Sequence, residues 1–339
     1  PRVPDNVINV GNSGTTLYLI MGTAALVDGW TVLTGDSQIR RRTAAPLINA
    51  LRRLDVNVFS TKGDGTSPIA VRGPLGGGST SVEGVSSQYL SSLLLACPLA
   101  SGDTDIEVPL LNERPYVLMT LDWLARQDIH PAYNDSFSSF RISGNARYHS
   151  FEREIPADFS SAAFPICAGV LAGGTVTLNG LDMNDTQGDK AIIDMLRSMG
   201  ADIESHPDGI TVRGGSLKGV EIDMNAVPDA LPAMAVCACF AEGTTILGNV
   251  PQARFKETDR IHVMAQELSR LGADISELPD GLVIRGGGLG GGRVDGHGDH
   301  RVVMALTVAG FASDGPITVS SAEAADVTYS GFWDAMRGL

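Results

Sequence analysis

Residues 191–214 read AIIDMLRSMGADIESHPDGITVRG, and the order of signals in this stretch decides the fold. Apolar side chains at helical spacing, Ile192, Met195, Leu196 and Met199, predict an amphipathic helix over 191–199. Gly200-Ala-Asp-Ile then opens a strand, Pro207-Asp-Gly turns the chain, and a second short strand ends at Val212-Arg-Gly. The same sentence returns downstream: a helix over 261–271, Gly272-Ala-Asp-Ile, Pro279-Asp-Gly and Ile284-Arg-Gly. Upstream, helical patterns over 46–54 and 116–124 and the strand Val71-Arg-Gly are further copies, and a last helix over 332–336 ends the chain.

A second, more apolar segment recurs out of phase with the first. Its copies begin at Gly14-Thr-Thr-Leu, Ser86-Ser-Gln-Tyr, Ser160-Ser-Ala-Ala, Ala230-Leu-Pro-Ala and His300-Arg-Val-Val, with starts 70 to 74 residues apart. The three middle copies close on strand-like runs, Asp103-Thr-Asp-Ile-Glu-Val, Gly174-Thr-Val-Thr-Leu and Gly243-Thr-Thr-Ile-Leu. The two series interleave into a βαβαββ module of about 70 residues, too long for a solenoid turn. The fold class is therefore α/β, with modules grouped around buried helices in two domains. The periodicity lapses over 150–158, so the expected division is 1–154, with about two modules, and 155–339, with about three.

Composition bounds the chemistry. With 43% hydrophobic and 19% charged residues the chain is globular, and no apolar run approaches the length of a membrane span. A net charge of −14 argues against nucleic acid or a membrane surface as partner, but not against small anions held in a locally basic cleft. Four cysteines make no disulfide framework. Cys97, Cys167 and Cys237 lie 70 residues apart, which suggests one repeated helix position filled by small packed side chains. His297, Asp299 and His300 lack the further ligands a closed metal site needs, so no metal is expected. The first residues, Pro1-Arg-Val-Pro-Asp, carry neither an initiator Met nor a signal-peptide layout.

The cations cluster in turns and at helix starts: Arg40, Arg41, Arg42, Arg254, Lys256, Arg260 and Arg301. Helices beginning at Gly14 and just after Ser86 and Asp299 offer free N–H groups beside them, an arrangement suited to phosphate and carboxylate. Each serine at such a start, and Asp229 after Pro228, also stands where an ordinary helix cap would.

Five motifs in order, Gly11-Asn-Ser-Gly-Thr-Thr, Val85-Ser-Ser-Gln-Tyr-Leu, Pro228-Asp-Ala, Phe255-Lys-Glu-Thr-Asp-Arg and Gly298-Asp-His-Arg, resemble the 5-enolpyruvylshikimate-3-phosphate synthase family over essentially the whole chain. The resemblance implies a two-domain inside-out α/β barrel of six βαβαββ units, of which this chain lacks most of the first. It implies transfer of the carboxyvinyl group of phosphoenolpyruvate to the 5-hydroxyl of shikimate 3-phosphate, with release of phosphate. A monomeric cytoplasmic enzyme without metal or organic cofactor goes with it. On this resemblance Ser86, Ser87, Gln88, Tyr116, Asp229, Gln252 and Lys256 would hold shikimate 3-phosphate. Gly14, Arg42, Gln88, Arg260, His300 and Arg301 would line the phosphoenolpyruvate site. Asp229 would take the hydroxyl proton, and Glu257, flanked by Lys256, would protonate C3.

Three positions depart from the family pattern: Tyr18 stands for an Arg, Glu113 for a Ser, and Val327 for a Lys. They keep open a related carboxyvinyltransferase with another anionic acceptor. The branch acting on nucleotide sugars is not favoured, because no Cys lies in an Arg-containing loop segment. Without the first unit, an inactive anion-binding chain also stays open, with weak substrate binding and little turnover expected from residues 1–339.

Overall fold

The first repeat runs β1 (Ile8–Asn9), α1 (Gly14–Ala24), β2 (Thr31–Thr34), α2 (Ala45–Arg53), β3 (Asn57–Ser60) and β4 (Ile69–Arg72). β1 lies parallel to β2, because a helix carries the chain back between them, and the β3–β4 hairpin adds antiparallel to β2. The sheet order is β1-β2-β4-β3. The second repeat copies it with β5 (Gly78–Ser81), α3 (Ser87–Ala96), β6 (Thr104–Glu107), α4 (Arg114–Ala125), β7 (Ala132–Tyr133) and β8 (Ser139–Ile142), in the order β5-β6-β8-β7. This is a computed structural model describing residues 1–339, in which the chain divides into two compact units, Pro1–Arg153 and Glu154–Leu339.

The second unit opens with α5 (Phe159–Leu171), β9 (Thr175–Asn179), α6 (Ala191–Ser198), β10 (Asp202–His206) and β11 (Gly209–Arg213). A full repeat follows: β12 (Glu221–Asp223), α7 (Leu231–Cys239), β13 (Thr244–Gly248), α8 (Arg260–Arg270), β14 (Asp274–Leu278) and β15 (Gly281–Arg285). The chain ends with β16 (Gly292–Asp295), α9 (His300–Ala309), β17 (Ile317–Ser320) and α10 (Phe332–Arg337).

Two repeats depart from the expected βαβαββ. The third has a three-stranded sheet, β10-β11-β9, without its first strand, and the last has only the parallel pair β16-β17. In the third, one bond of the missing strand survives, from Ala157 N to Gly180 O at 3.1 Å. It matches Val10 N to Thr34 O, Val82 N to Glu107 O and Met224 N to Gly248 O in the complete repeats. The residues before it are otherwise engaged. The Phe151 ring lies 5.7 Å from that of Trp123, the Arg153 guanidinium packs on the same indole, and Pro156 has no N–H to give.

Two kinds of helix result from the two sequence series. The amphipathic ones bury one stripe; α6 buries Ile192, Ile193 and Leu196 and exposes Asp194 and Arg197 to varying degrees. Of the apolar ones, α3 in the first unit and α5, α7 and α9 in the second are buried nearly all round, while α1 keeps an exposed edge at Thr15 and Thr23. Their close approach explains Gly22, where a Cβ would lie 2.6 Å from both Ser92 O and Ser92 Oγ. Ser92 Oγ instead accepts from Gly22 N and donates to Tyr18 O, which joins α3 to α1.

The equal spacing of three cysteines does not mark one position. Cys167 and Cys237 lie inside α5 and α7, whereas Cys97 lies in a 3-10 turn after α3 has ended. The repeat between Ser86 and Ser160 is one helical turn longer than the next, which offsets Cys97 by that turn. All four thiols are free and buried, and burial raises Cys97 to about 11 and Cys239 to about 12.

Candidate active site

In the second unit, side chains from the N-terminal ends of α5, α7, α8 and α9 meet in one charged cluster. Pro228 starts a 3-10 turn, Pro228–Ala230, that leads into α7 and points the Asp229 carboxylate into it. Asp229 Oδ1 lies 2.7 Å from Arg260 Nη1 and 3.6 Å from Lys256 Nζ, and its Oδ2 lies 3.4 Å from Arg301 Nη2. Capping is therefore not its task. Arg301 also donates to Ser160 Oγ at 2.7 Å, which brings the first turn of α5 into the cluster.

Arg260, the first residue of α8, is only 1% exposed and serves three carboxylates at once. Beside Asp229 it holds Glu257 at 2.6 Å and Asp299 at 2.8 Å through Nε, with a second bond from Nη2 at 3.1 Å. Asp299 itself is fully buried and caps α9 by accepting from Arg301 N at 2.9 Å, while Thr258 Oγ1 donates to it at 3.0 Å. Lys256, Arg260 and Arg301 thus balance Asp229, Glu257 and Asp299 in a paired network with Arg260 and Asp299 buried at its centre.

The pKa shifts follow from this balance. Burial pushes the Asp229 carboxyl up, but Arg301, Lys256 and Arg260 together overcome it and hold Asp229 well below the usual carboxylate range. Burial likewise opposes the ionised form of Asp299, yet Arg260 brings it down to about 2. His300 goes to about 4, first by burial and then by Arg260, so its imidazole is neutral at pH 7. Asp229, still 22% exposed at its side chain, is the ionised group of the cluster most open to solvent.

The first unit holds a different grouping, around the starts of α1 and α3. Gly14 is there because of Arg42: a Cβ at Gly14 would lie 2.6 Å from Arg42 Nη1. The Arg42 guanidinium stands 5.8 Å above the Tyr18 ring, Tyr18 packs edge-on against Tyr89, and both phenols donate to Thr43 O. Tyr18 thus forms a floor under Arg42. Gln88 Nε2 donates to Thr15 Oγ1 at 2.8 Å, while its buried Oε1 has no hydrogen-bond partner. Ser86 caps α3 weakly, its hydroxyl accepting from Gln88 N at 3.4 Å. Ser87 gives both its amide and its hydroxyl to Glu113 Oε2, at 3.2 and 2.9 Å. The negative charge at the start of α3 is therefore the protein's own.

Comparison with known proteins separates this arrangement from a generic basic cluster. The model of EPSP synthase (3-phosphoshikimate 1-carboxyvinyltransferase) matches residues 2–336. The chain belongs to the EPSP synthase family. A 3-phosphoshikimate 1-carboxyvinyltransferase of Ruminiclostridium cellulolyticum is 52% identical over 337 residues, 99% of this chain and 80% of the relative. That of Acetivibrio thermocellus is 51% identical over 332 residues, 98% of this chain and 78% of its own. The solved EPSP synthase of Acinetobacter baumannii superposes with a TM-score of 0.81 at 28% identity, covering 99% of this chain and 79% of the other. The family fold, built from repeated βαβαββ units, accounts for the sheet order seen in the complete repeats.

Within this EPSP synthase family member the expected site residues fall into two sets. Asp229, Lys256, Glu257, Arg260, His300 and Arg301 belong to the second unit's cluster. Gly14, Arg42, Ser86, Ser87 and Gln88 gather in the first. Gln252 is buried and donates to Asn225 O at 3.0 Å; Tyr116, half-buried in the first turns of α4, has its backbone N bonded to Glu113 O. Arg254 is committed elsewhere, to Asp259, Glu277 and the carbonyls of Leu278 and Pro279. Val327 ends an exposed 3-10 turn. The residues missed are Ser160, Asp299 as partner of Arg260, and Thr258. For Ser160 a signal existed, since Ser160-Ser161 occupies the repeat position of Ser86-Ser87. No helix is long and apolar enough to cross a membrane, and no three His, Cys, Asp or Glu side chains converge to hold a metal ion.

Proposed function

We propose that this chain transfers the carboxyvinyl group of phosphoenolpyruvate to the 5-hydroxyl of shikimate 3-phosphate and releases phosphate. The observation that carries the reading is Asp229: an ionised, partly exposed carboxylate held in place by Arg260, Lys256 and Arg301. Attack of the hydroxyl on C2 requires a group to take its proton, and Asp229 serves as that base. Glu257, tied to the same guanidinium at 2.6 Å, takes up a proton from solvent as the anionic substrates arrive and gives it to C3 during addition. Elimination then removes a proton from C3 as phosphate leaves. Arg260 is too deeply buried to lead in binding; it aligns Asp229 and Glu257, while Lys256 and Arg301 at the rim meet the incoming anions.

In the first unit, Gly14, Arg42 and Gln88 are the candidates for phosphoenolpyruvate and Ser86, Ser87 and Tyr116 those for shikimate 3-phosphate; Gln252 is a further candidate for shikimate 3-phosphate in the second unit. A monomeric cytoplasmic enzyme that uses no metal or organic cofactor goes with this reading. Phosphate release from phosphoenolpyruvate with and without shikimate 3-phosphate tests it, and the expected result is release only with both. One observation favours a second reading. Because Glu113 occupies Ser87, an acceptor carrying less negative charge at that end fits the start of α3 better. Faster release with a dephosphorylated or carboxylated acceptor than with shikimate 3-phosphate would support it.

A further inference from the structure

Asp299, His300 and Arg301 are delivered to the cluster by the short loop that joins β16 to α9, and this loop is tied down twice by the same helix. Arg260 and Glu267 lie seven residues apart on α8, two turns along one face. Arg260 grips Asp299 at the far end of the loop. Glu267, which has no exposed surface, grips the near end: its Oε2 accepts from Asp295 N at 2.9 Å and its Oε1 meets His297 Nε2 at 2.9 Å. Arg270 completes its hydrogen bonding with a bond to Oε2 at 2.9 Å. His297 adopts a left-handed conformation, φ 52°, which a non-glycine residue holds only when its surroundings impose it. Those surroundings are visible: His297 N donates to Asp295 Oδ1, which also accepts from Ser320 and Ser321, and Asp299 N donates to Gly296 O.

We infer that Glu267 and His297 are positioning residues, a remote clamp on the Asp295–Asp299 turn that sets where Arg301 and His300 stand. The inference rests on the proposed reaction in that it assigns Arg301 and His300 to phosphoenolpyruvate. Neither Glu267 nor His297 reaches Asp229. Their influence passes through the loop, as a buried carboxylate with three donors fixes backbone that then fixes a guanidinium. The clamp acts on one substrate's side of the site, which distinguishes it from general stabilisation.

Replacement of His297 tests this, since the side chain is 31% exposed and its loss leaves the core intact. His297→Phe keeps a ring and removes the donor; His297→Gln keeps an N–H donor. KM for phosphoenolpyruvate is expected to rise about tenfold in His297→Phe, the scale of one charge-assisted hydrogen bond, with KM for shikimate 3-phosphate within about twofold of wild type. His297→Gln should recover most of the loss, and Glu267→Gln should reproduce the His297→Phe pattern. Inorganic phosphate binding by calorimetry, read on the same variants, should weaken by a similar factor and gives the result even where turnover is slow. Unchanged constants in His297→Phe, equal rises in both KM values, or no recovery by His297→Gln overturns the clamp while leaving the proposed reaction standing. A wild-type chain that neither turns over nor binds phosphate overturns both.

Discussion

The two charged groupings solve the problem of holding cations in opposite ways. In the second unit, three cations are each matched to a carboxylate before any ligand arrives, and the central one, Arg260, is buried behind them. In the first, Arg42 also stacks over the Tyr18 ring and packs against the bare backbone of Gly14. A paired network fixes geometry and charge state, which a proton-transfer site needs; a guanidinium stacked on an aromatic ring is fixed in orientation as well as in place. On the proposed reaction, one repeated fold builds a proton-transfer grouping and an anion-capturing grouping from equivalent helix starts.

The comparison breaks first at Asp229. Asp229→Ala is expected to lower kcat by about a thousandfold, the range of a lost general base, while both KM values move by less than about fivefold. Removing Arg42 should show the reverse, with KM rising and kcat nearly kept. If Asp229→Ala weakens binding as much as turnover, Asp229 only positions substrate and the division of labour fails.

Stability gives the next contrast. Arg260→Met leaves Asp299, Glu257 and Asp229 without their shared partner, and the loss of one member of a buried ion network costs about 3–5 kcal/mol. Arg42→Met removes one guanidinium rather than the hub of three carboxylates, and its cation–π contact with Tyr18 accounts for about 0.5–1 kcal/mol of the loss. Urea unfolding of both variants reads the difference. Equal losses would mean that Arg42 is as structural as Arg260.

Acid should act most strongly on the paired cluster. His300 has its folded pKa depressed to about 4, so below about 6.5 the unfolded chain takes up a proton that the folded chain refuses. Stability is therefore full above that point and falls as pH drops towards 4, by about 3 kcal/mol in all. Asp299, depressed to about 2, adds a loss of about 2 kcal/mol between roughly pH 4 and 2. His300→Gln should flatten the stability curve between pH 6.5 and 4 and leave the lower limb in place. A curve unchanged by the substitution removes His300 as its origin.

How much of this could be read beforehand depended on whether a feature was local. The repeats were legible because each module writes its helix period, its turn and its strands in contiguous residues, as 191–214 does. The triad of motifs around Asp229, Lys256 and Arg301 was legible because it resembles a family. Pairings between repeats were not. Nothing near Asp299 says that it holds Arg260, and nothing near Ser160 says that Arg301 reaches it, because both bonds depend on how α5, α8 and α9 stack. The absent first strand of the third repeat was half legible: the periodicity lapsed there, but the pull of Trp123 on Phe151 and Arg153 is a tertiary fact. Tyr18 read as a lost cation, and only packing revealed it as the support of one.

The smallest expected effect belongs to Glu113, and it sharpens the contrast most. Its carboxylate takes the amide and hydroxyl of Ser87 at the start of α3, so the capturing end has one position where the protein supplies its own anion. A negative charge there is worth about 0.3–1 kcal/mol through the helix dipole, and an incoming phosphate must displace or share it. Glu113→Gln keeps the length of the side chain and an acceptor for Ser87 while removing the charge. KM for shikimate 3-phosphate is then expected to fall by roughly twofold to fivefold, with KM for phosphoenolpyruvate unchanged, and the gain should shrink as salt screens the repulsion. The variant's φ of 57° is inherited from Glu113 and so adds no new strain. A rise in KM instead would make Glu113 a fixed structural partner of Ser87, and the phosphate would then have to bind away from the α3 start, with Arg42 as the nearest cation of this unit's set.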